Sequence, residues 1–369
     1  MGALQFLEAA HQDVVLGVAD FGLIENVVEV FVAAKLLAQI LYLFGRSLHR
    51  TLNYNLNEYP ETKTITPYQN TILIYNPNAG KISRSRGALV EQAAGILRTS
   101  GHKVTLAPTT GPKTAGDIAR GYITTGADLI VVLGGDGVIN ETVEGMAGSN
   151  IPLAILPGGT ANVLATEMRL GDLKHAAGRL GQLTPRRISV GRLTSDGGAV
   201  SRHFLLMAGI GLDAHIAYNV HAPLKARTGK FAYWVAGAGF VARRLPQLQV
   251  EADGKARECS FALFSRVRNY GGDFEIAREA TLLDNSFEMV LFEGRRSTSY
   301  VKYLLGLLTG RIAGLKGVTV ARTCRARIAG PPDSRVYVQI DGESAGHLPA
   351  ELEIVHDALT LLMPKEYGA

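Results

Sequence analysis

The spacing of apolar residues changes character along the chain. Between residues 71 and 157, short apolar runs, "TILIY" (71–75), "KVTLAP" (103–108), "DLIVVL" (128–133) and "PLAILP" (152–157), alternate with amphipathic stretches such as "SRSRGALVEQAAGILRTSG" (83–101). Runs this short, bounded by Gly, Asn and Pro, read as buried strands. Their alternation with helices predicts a parallel sheet covered on both faces. After residue 186 strand-like runs dominate: "RRISVGRLT", "RHFLLMAGI", "QLQVEA", "ECSFALFSRV", "SFEMVLFEG", "GVTVARTCRARI" and "VYVQI". Short strands separated by turn residues predict a β-sandwich, with helices over 213–244 and 297–309.

The amino-terminal part is different. Residues 22–50 read as one long helix with Glu25, Glu29, Lys35, Gln39, Arg46, His49 and Arg50 on one arc. The central Lys35 argues against a membrane span, which stays as a lower-ranked reading, and no signal-peptide pattern is present. An interfacial membrane helix is expected, with a packing or homodimer helix as the alternative. The organisation that follows is a helical segment (1–50), a linker (51–70), an α/β nucleotide-binding domain (71–185), a mainly β-sandwich domain (186–345) and a return to the first domain (346–369).

A chain of 369 residues with 47% hydrophobic content supports two cores. Two cysteines are too few for a disulfide framework and read as free thiols in a cytoplasmic setting. The net charge of +5 is concentrated after residue 60, in clusters such as "LKARTGK" (224–230) and "ARTCRARI" (321–328). A basic body suits an anionic partner, a membrane surface or a nucleotide. Aromatics are not interleaved with the bases as a stacking platform requires, so nucleic acid is not expected.

Candidate chemistry sits where apolar runs end. "DLIVVLGGDGVINETVEGM" (128–146) carries a single acid, Asp136, inside a run of glycines. Such a residue is an ordinary turn or cap residue, or it faces a phosphate through a metal. "NPNAGK" (76–81) and "PGGTAN" (157–162) end two other strands in the same way, and exposed turn amides bind phosphate. No Walker A motif is present, because Gly80-Lys81 lacks the earlier glycine and the following Ser or Thr. "QIDGE" (339–343) taken alone is a hairpin signal.

Taken together, "NPNAGK", "LGGDGVINETVEGM" and "LPGGTANVLA", in this order and spacing, resemble the diacylglycerol kinase catalytic domain, whose superfamily includes sphingosine and ceramide kinases and bacterial lipid kinases. The likeness continues through "FLLMAGIGLDAHI" (204–216), "SRVRNYGGDFEIAREATLLDNSFEMVLF" (265–292) and "VQIDGESAGHLPAELEIVHDALTLLMP" (338–364). The resemblance implies an ATP- and Mg²⁺-dependent kinase acting on the hydroxyl of a membrane lipid such as diacylglycerol, peripherally associated with the inner membrane. Sphingoid bases, phosphatidylglycerol, a soluble acceptor as in NAD kinases, and a non-catalytic sensor are the alternatives. It assigns nucleotide binding to Asn76, Gly80, Thr109, Gly134, Gly135, Asp136, Gly137, Asn140, Glu141, Gly159 and Thr160. Glu343 is implied as the general base with Asp341 beside it, and Asp136 as the rival base. A structural metal is implied at Thr281, Asp284 and the Ser286 carbonyl, although Asn285 stands where a Gly is usual. Val138 is a second departure, since bacterial members usually carry Thr there.

Overall fold

The computed structural model describes residues 68–211, 245–270, 275–295, 299–332 and 335–368. The expected helices at 22–50 and 213–244 lie outside the described residues. The apolar runs of the first half form β1 (Asn70–Tyr75), β2 (Lys103–Pro108), β3 (Leu129–Gly134) and β4 (Pro152–Pro157). They lie side by side, all parallel, in the order β2-β1-β3-β4. Every residue of β3 is buried, as expected for a strand covered on both faces.

Helices α1 (Gly80–Arg84), α2 (Ala88–Thr99), α3 (Ala115–Thr124), α4 (Asp136–Met146), α5 (Val163–Glu167) and α6 (Leu173–Gly178) connect these strands or follow them. Residues Val90, Ala93, Ala94 and Leu97 form the buried stripe of α2 at helical spacing. The single helix expected over 83–101 is interrupted, because Arg86 and Gly87 take positive φ values of 49° and 83°. The helix expected from about Thr160 begins at Val163, after Asn162 at φ 49°. Helices α3 and α4 cross almost backbone to backbone: a Cβ on Gly145 would lie 2.0 Å from the Gly116 carbonyl oxygen.

The second half contributes β5 (Thr184–Ser195), β6 (Val200–Phe204), β7 (Met207–Gly211), β8 (Leu248–Ala252), β9 (Lys255–Cys259), β10 (Phe261–Ser265), β11 (Phe287–Phe292), α7 (Ser299–Leu308), β12 (Val318–Thr323), β13 (Arg325–Ala329), β14 (Tyr337–Ile340), β15 (Glu343–His347) and β16 (Ala350–Met363). Six of these strands form a separate antiparallel sheet, β12-β11-β10-β7-β14-β15. The others extend the first sheet. β16 pairs parallel with β4 at its carboxyl end and antiparallel with β5 along most of its length, and its amino end pairs antiparallel with β13. The fold is thus a mixed sheet, parallel in its α/β part, whose antiparallel extension packs against a second sheet.

Three apolar runs that read as single strands are each cut where the chain passes from one sheet to the other. The breaks fall at Leu205–Leu206, at Ser260 and at Cys324. Strand alternation then divides the core. Phe264, Phe287, Met289 and Leu291 point into the space between the sheets, whereas Phe261, Leu263, Val290 and Phe292 join the α/β core. Both faces of β10 and β11 are therefore buried, which explains their uninterrupted apolar sequences. Among the described residues no helix is long and apolar enough to cross a membrane.

Candidate active site

The strand order reverses between β1 and β3, and crevices outside the carboxyl ends of strands at such a point bind ligands in open α/β sheets. Three turns meet there. After β1, Asn76 Oδ1 accepts the Asn78 amide at 2.8 Å, an Asx turn that starts the loop to Gly80. After β3, Gly134–Gly135 leads directly into α4, whose N-cap is Gly135 with no capping side chain. The leading amides of α4 thus remain available to an anion. After β4, the amides of Gly158 and Gly159 both donate to the Gly134 carbonyl, at 2.9 and 3.1 Å.

Asn162 stitches this last turn. Its Oδ1 accepts the Gly159 amide at 2.8 Å while its Nδ2 donates to the Gly159 carbonyl at 3.0 Å. The two glycine turns touch: a Cβ on Gly159 would lie 2.4 Å from Gly135 Cα. The resulting cleft has a volume of about 230 Å³ and is lined by Ala79, Gly80, Lys81, Gly135, Gly137, Val138, Gly158, Gly159 and Thr160. Lys81 carries the one charge among these lining side chains. A concave surface of backbone, one hydroxyl and one ammonium suits a polyphosphate.

The carboxylates divide their work. Asp136 Oδ2 and Oδ1 accept the amides of Val163 and Leu164 at 3.1 and 3.2 Å, so this residue caps α5, a helix that starts 27 positions later. Glu141 faces the opposite side of α4, where its carboxylate takes the amides of Lys113 and Ala115 at 2.9 and 3.3 Å. It thereby shapes the loop that begins at buried Thr109, whose amide donates to the Tyr75 carbonyl at 2.8 Å. Neither Glu141 nor Thr109 lines the cleft.

Asp341 and Gly342 form the two-residue turn between β14 and β15, with φ values of 48° and 84°, as a primed hairpin turn demands. The Asp341 carboxylate accepts three consecutive amides, Leu205 at 2.9 Å, Leu206 at 3.0 Å and Met207 at 2.8 Å. These are the amides released where the chain leaves β6 for β7. With its amide oriented so that the nitrogen meets the two acceptors around it, Asn140 donates to Asp341 Oδ2 at 3.1 Å and to the His203 carbonyl at 3.3 Å, joining α4 to the hairpin. Burial pushes the Asp341 carboxyl up to about 7, against the pull of the three amides and with the nearby negative charge of Asp136 adding to the rise.

The folded chain therefore holds a proton that the unfolded chain releases between the ordinary carboxylate range and about 7. This contribution to stability is complete at acid pH and is lost as pH rises through the folded value. The stability advantage of the parent over Asp341→Asn should accordingly shrink as pH increases across that window, read from urea midpoints at a series of pH values. An advantage that is flat or grows with pH contradicts the assignment.

Glu343 follows the turn and leans onto the cleft. A Cβ on Gly137 would lie 2.9 Å from its Oε1, while its Oε2 receives the Arg202 guanidinium at 3.0 Å. Arg202 belongs to β6, and the adjacent His203 is held by Glu144 of α4 through its amide at 2.7 Å and its ring Nδ1 at 3.2 Å. Motif reading did not single out Lys81, Asn162, Arg202 or Glu144 as site residues. Lys81 and Asn162 were within reach, since each ends a recognised turn motif. Arg202 and Glu144 carry no such local signal.

The loop read as a metal site has a different arrangement. Asp284 Oδ2 is paired with Arg322 Nη1 at 2.6 Å, and the Thr281 hydroxyl faces the Tyr367 hydroxyl at 3.4 Å. Buried Arg266 donates to the carbonyls of Leu282 and Asp284. No cluster of three or more His, Cys, Asp or Glu that could hold a metal occurs among the described residues. In this structure the Asp284 and Thr281 side chains are thus engaged by protein partners.

The fold and cleft define an open-sheet α/β protein with an anion-receptive glycine site faced by a carboxylate hairpin from its second sheet. Residues 70–193 match the diacylglycerol kinase catalytic domain, and residues 207–363 match the YegS C-terminal NAD kinase beta sandwich-like domain. Two family models thus match in tandem: residues 70–193 belong to the diacylglycerol kinase catalytic-domain family and residues 207–363 to the YegS-type carboxyl-terminal domain. A diacylglycerol kinase of Bacillus subtilis (strain 168) is 26% identical over 302 residues, covering 80% of this chain and 96% of its own. One from Mycobacterium tuberculosis (strain CDC 1551 / Oshkosh) is 27% identical over 249 residues, covering 66% and 79%. The crystal structure of a diacylglycerol kinase from Bacillus anthracis str. Sterne has the same fold, with a TM-score of 0.64 at 22% identity over 81% of this chain and 99% of that one.

Proposed function

We propose that this protein transfers the γ-phosphoryl group of ATP to the hydroxyl of diacylglycerol or a similar membrane lipid, giving phosphatidic acid when diacylglycerol is the acceptor. The observation that carries the reading is the position of Glu343. A carboxylate from the second sheet rests against Gly137, in the first turn of the helix whose amides face the glycine cleft. An alcohol between Glu343 and the cleft has its proton acceptor on one side and the phosphoryl group on the other, which is what in-line transfer requires.

In this mechanism the amides of Gly135 and Gly137 and the Lys81 ammonium hold the phosphates. Glu343 accepts the hydroxyl proton as the oxygen attacks, and Arg202 holds the carboxylate in place. Asn140 and the amides of 205–207 fix the hairpin that carries it. Mg²⁺ bound with the nucleotide would supply charge that offsets the phosphates, and Asp136, in the first turn of α4 beside the glycine cleft, would be the carboxylate to face it. The basic surface supports work at an anionic membrane, which is also part of this proposal.

The test is phosphorylation of a total lipid extract with labelled ATP, with the product identified by mass. Labelled phosphatidic acid is expected. Labelling of water-soluble acceptors instead, without dependence on lipid vesicles, would replace the reading with a soluble-metabolite kinase, which the name of the matched carboxyl-terminal domain keeps in view.

A further inference from the structure

Arg266 follows β10 directly and is fully buried, among the largest side chains with no solvent contact. Its Nη2 donates to the Leu282 carbonyl at 2.7 Å and its Nη1 to the Asp284 carbonyl at 3.1 Å. Its own amide donates to the Leu206 carbonyl at 2.8 Å, in the segment whose amides hold Asp341. As a guanidinium the side chain is a cation at neutral pH. Two side chains of the loop are engaged as well, Asp284 by Arg322 and the Thr281 hydroxyl by Tyr367.

A divalent ion of the Mg²⁺ or Ca²⁺ type needs six or more oxygen donors converging on one point. Here two loop carbonyls converge on a positive group already in place. A metal at the implied ligands Thr281, Asp284 and the Ser286 carbonyl would have that charge as a neighbour, since Arg266 already bonds the Asp284 carbonyl. A planar guanidinium reaches two separated acceptors at once, which a single ammonium does not.

We propose that the two-pronged Arg266 guanidinium is the internal cation around which the 281–286 loop folds, and that this loop takes no structural divalent metal. The inference is independent of the kinase reading, because it concerns only what organises the loop. The structural consequence is a continuous link from this loop, through Arg266 and Leu206, to the amides that hold the active-site hairpin.

Thermal unfolding of the full chain without nucleotide provides the test. The parent should show the same Tm before and after exhaustive chelation and on adding Mg²⁺, Ca²⁺ or Mn²⁺, and elemental analysis should find no stoichiometric divalent ion after dialysis. R266M, which removes both donors and leaves two carbonyls facing a methyl group, should lower the Tm by roughly 5 °C. If R266M does not fold, R266K serves, with a Tm below that of the parent because one ammonium cannot span both carbonyls. A fall in parent Tm on chelation, a retained equivalent of divalent ion, or an arginine variant as stable as the parent overturns the proposal.

Discussion

Replacing Glu343 by Gln is expected to lower the turnover number for lipid phosphorylation by roughly 10²- to 10⁴-fold, the usual contribution of a positioned proton acceptor. Nucleotide affinity should stay near that of the parent. The reason lies in the division of labour at the cleft. Its phosphate-facing surface is made by the turns after β1, β3 and β4, none of which Glu343 helps to build. Glu343 reaches the cleft from the other sheet, at Gly137. Gln keeps the length of the side chain and one oxygen for Arg202, so the hairpin should retain its shape while the acceptor loses its charge. Transfer of labelled phosphate to lipid gives the rate, and equilibrium binding of a nucleotide analogue gives the affinity. Parent-like turnover would falsify the assignment of the base and shift it to Asp136.

The opposite pattern is expected for Gly159→Ala. A Cβ at this position would lie 2.4 Å from Gly135 Cα and 2.9 Å from Asn162 Oδ1. The first neighbour is backbone and has no rotamer by which to give way. The two glycine turns must therefore separate by about 1 Å, and a displacement of that size in a positioned site costs about 10²-fold. The loss should fall on nucleotide binding as well as on kcat/KM, because the amides of Gly135 and Gly137 move with the turn. Gly95→Ala is the matched control. It lies in α2 with nothing within 4 Å of the added methyl, and should leave activity unchanged while slightly favouring the helix. Equal nucleotide affinity in Gly159→Ala and the parent would show that the turn contact does not shape the site.

These variants separate two roles that meet at one helix end. Residues of the β1, β3 and β4 turns form a surface for phosphate. Asp341 and Glu343 belong to a hairpin that is held by amides of 205–207 and by Arg202. Asn140 joins the two through its contact with Asp341. A site built from one sheet alone would have either the anion cleft or the proton acceptor, but not both.

Much of the α/β half could be read from local pattern. The strand runs at 71–75, 103–108, 128–133 and 152–157 recur in β1 to β4 almost residue for residue; β1, β3 and β4 are buried and demand an uninterrupted apolar run, whereas β2 is the part-exposed edge strand. The glycines at 134, 135, 158 and 159 marked the turns correctly, since a close approach of two backbones excludes any side chain. Errors appeared where one backbone angle decides. The positive φ of Arg86 and Gly87 broke a helix whose amphipathic pattern ran straight through them. In the sandwich, "RHFLLMAGI" and "GVTVARTCRARI" gave no local sign that the chain changes sheet at Leu205–Leu206 and Cys324, because the residues on either side are equally strand-like.

The sequence by itself therefore determined the strand-and-helix alternation, the glycine turns and the DGE hairpin, all of which depend on neighbours a few positions apart. Tertiary structure alone decided what the charged residues do. Asp136 caps a helix 27 positions away, Glu343 pairs with Arg202 across 141 positions, and Arg266 fills a loop that read as a metal site. Charge and hydrogen bonding act through space at a few ångströms, and the partner that gives a carboxylate or a guanidinium its role is chosen by the fold rather than by its neighbours in the chain.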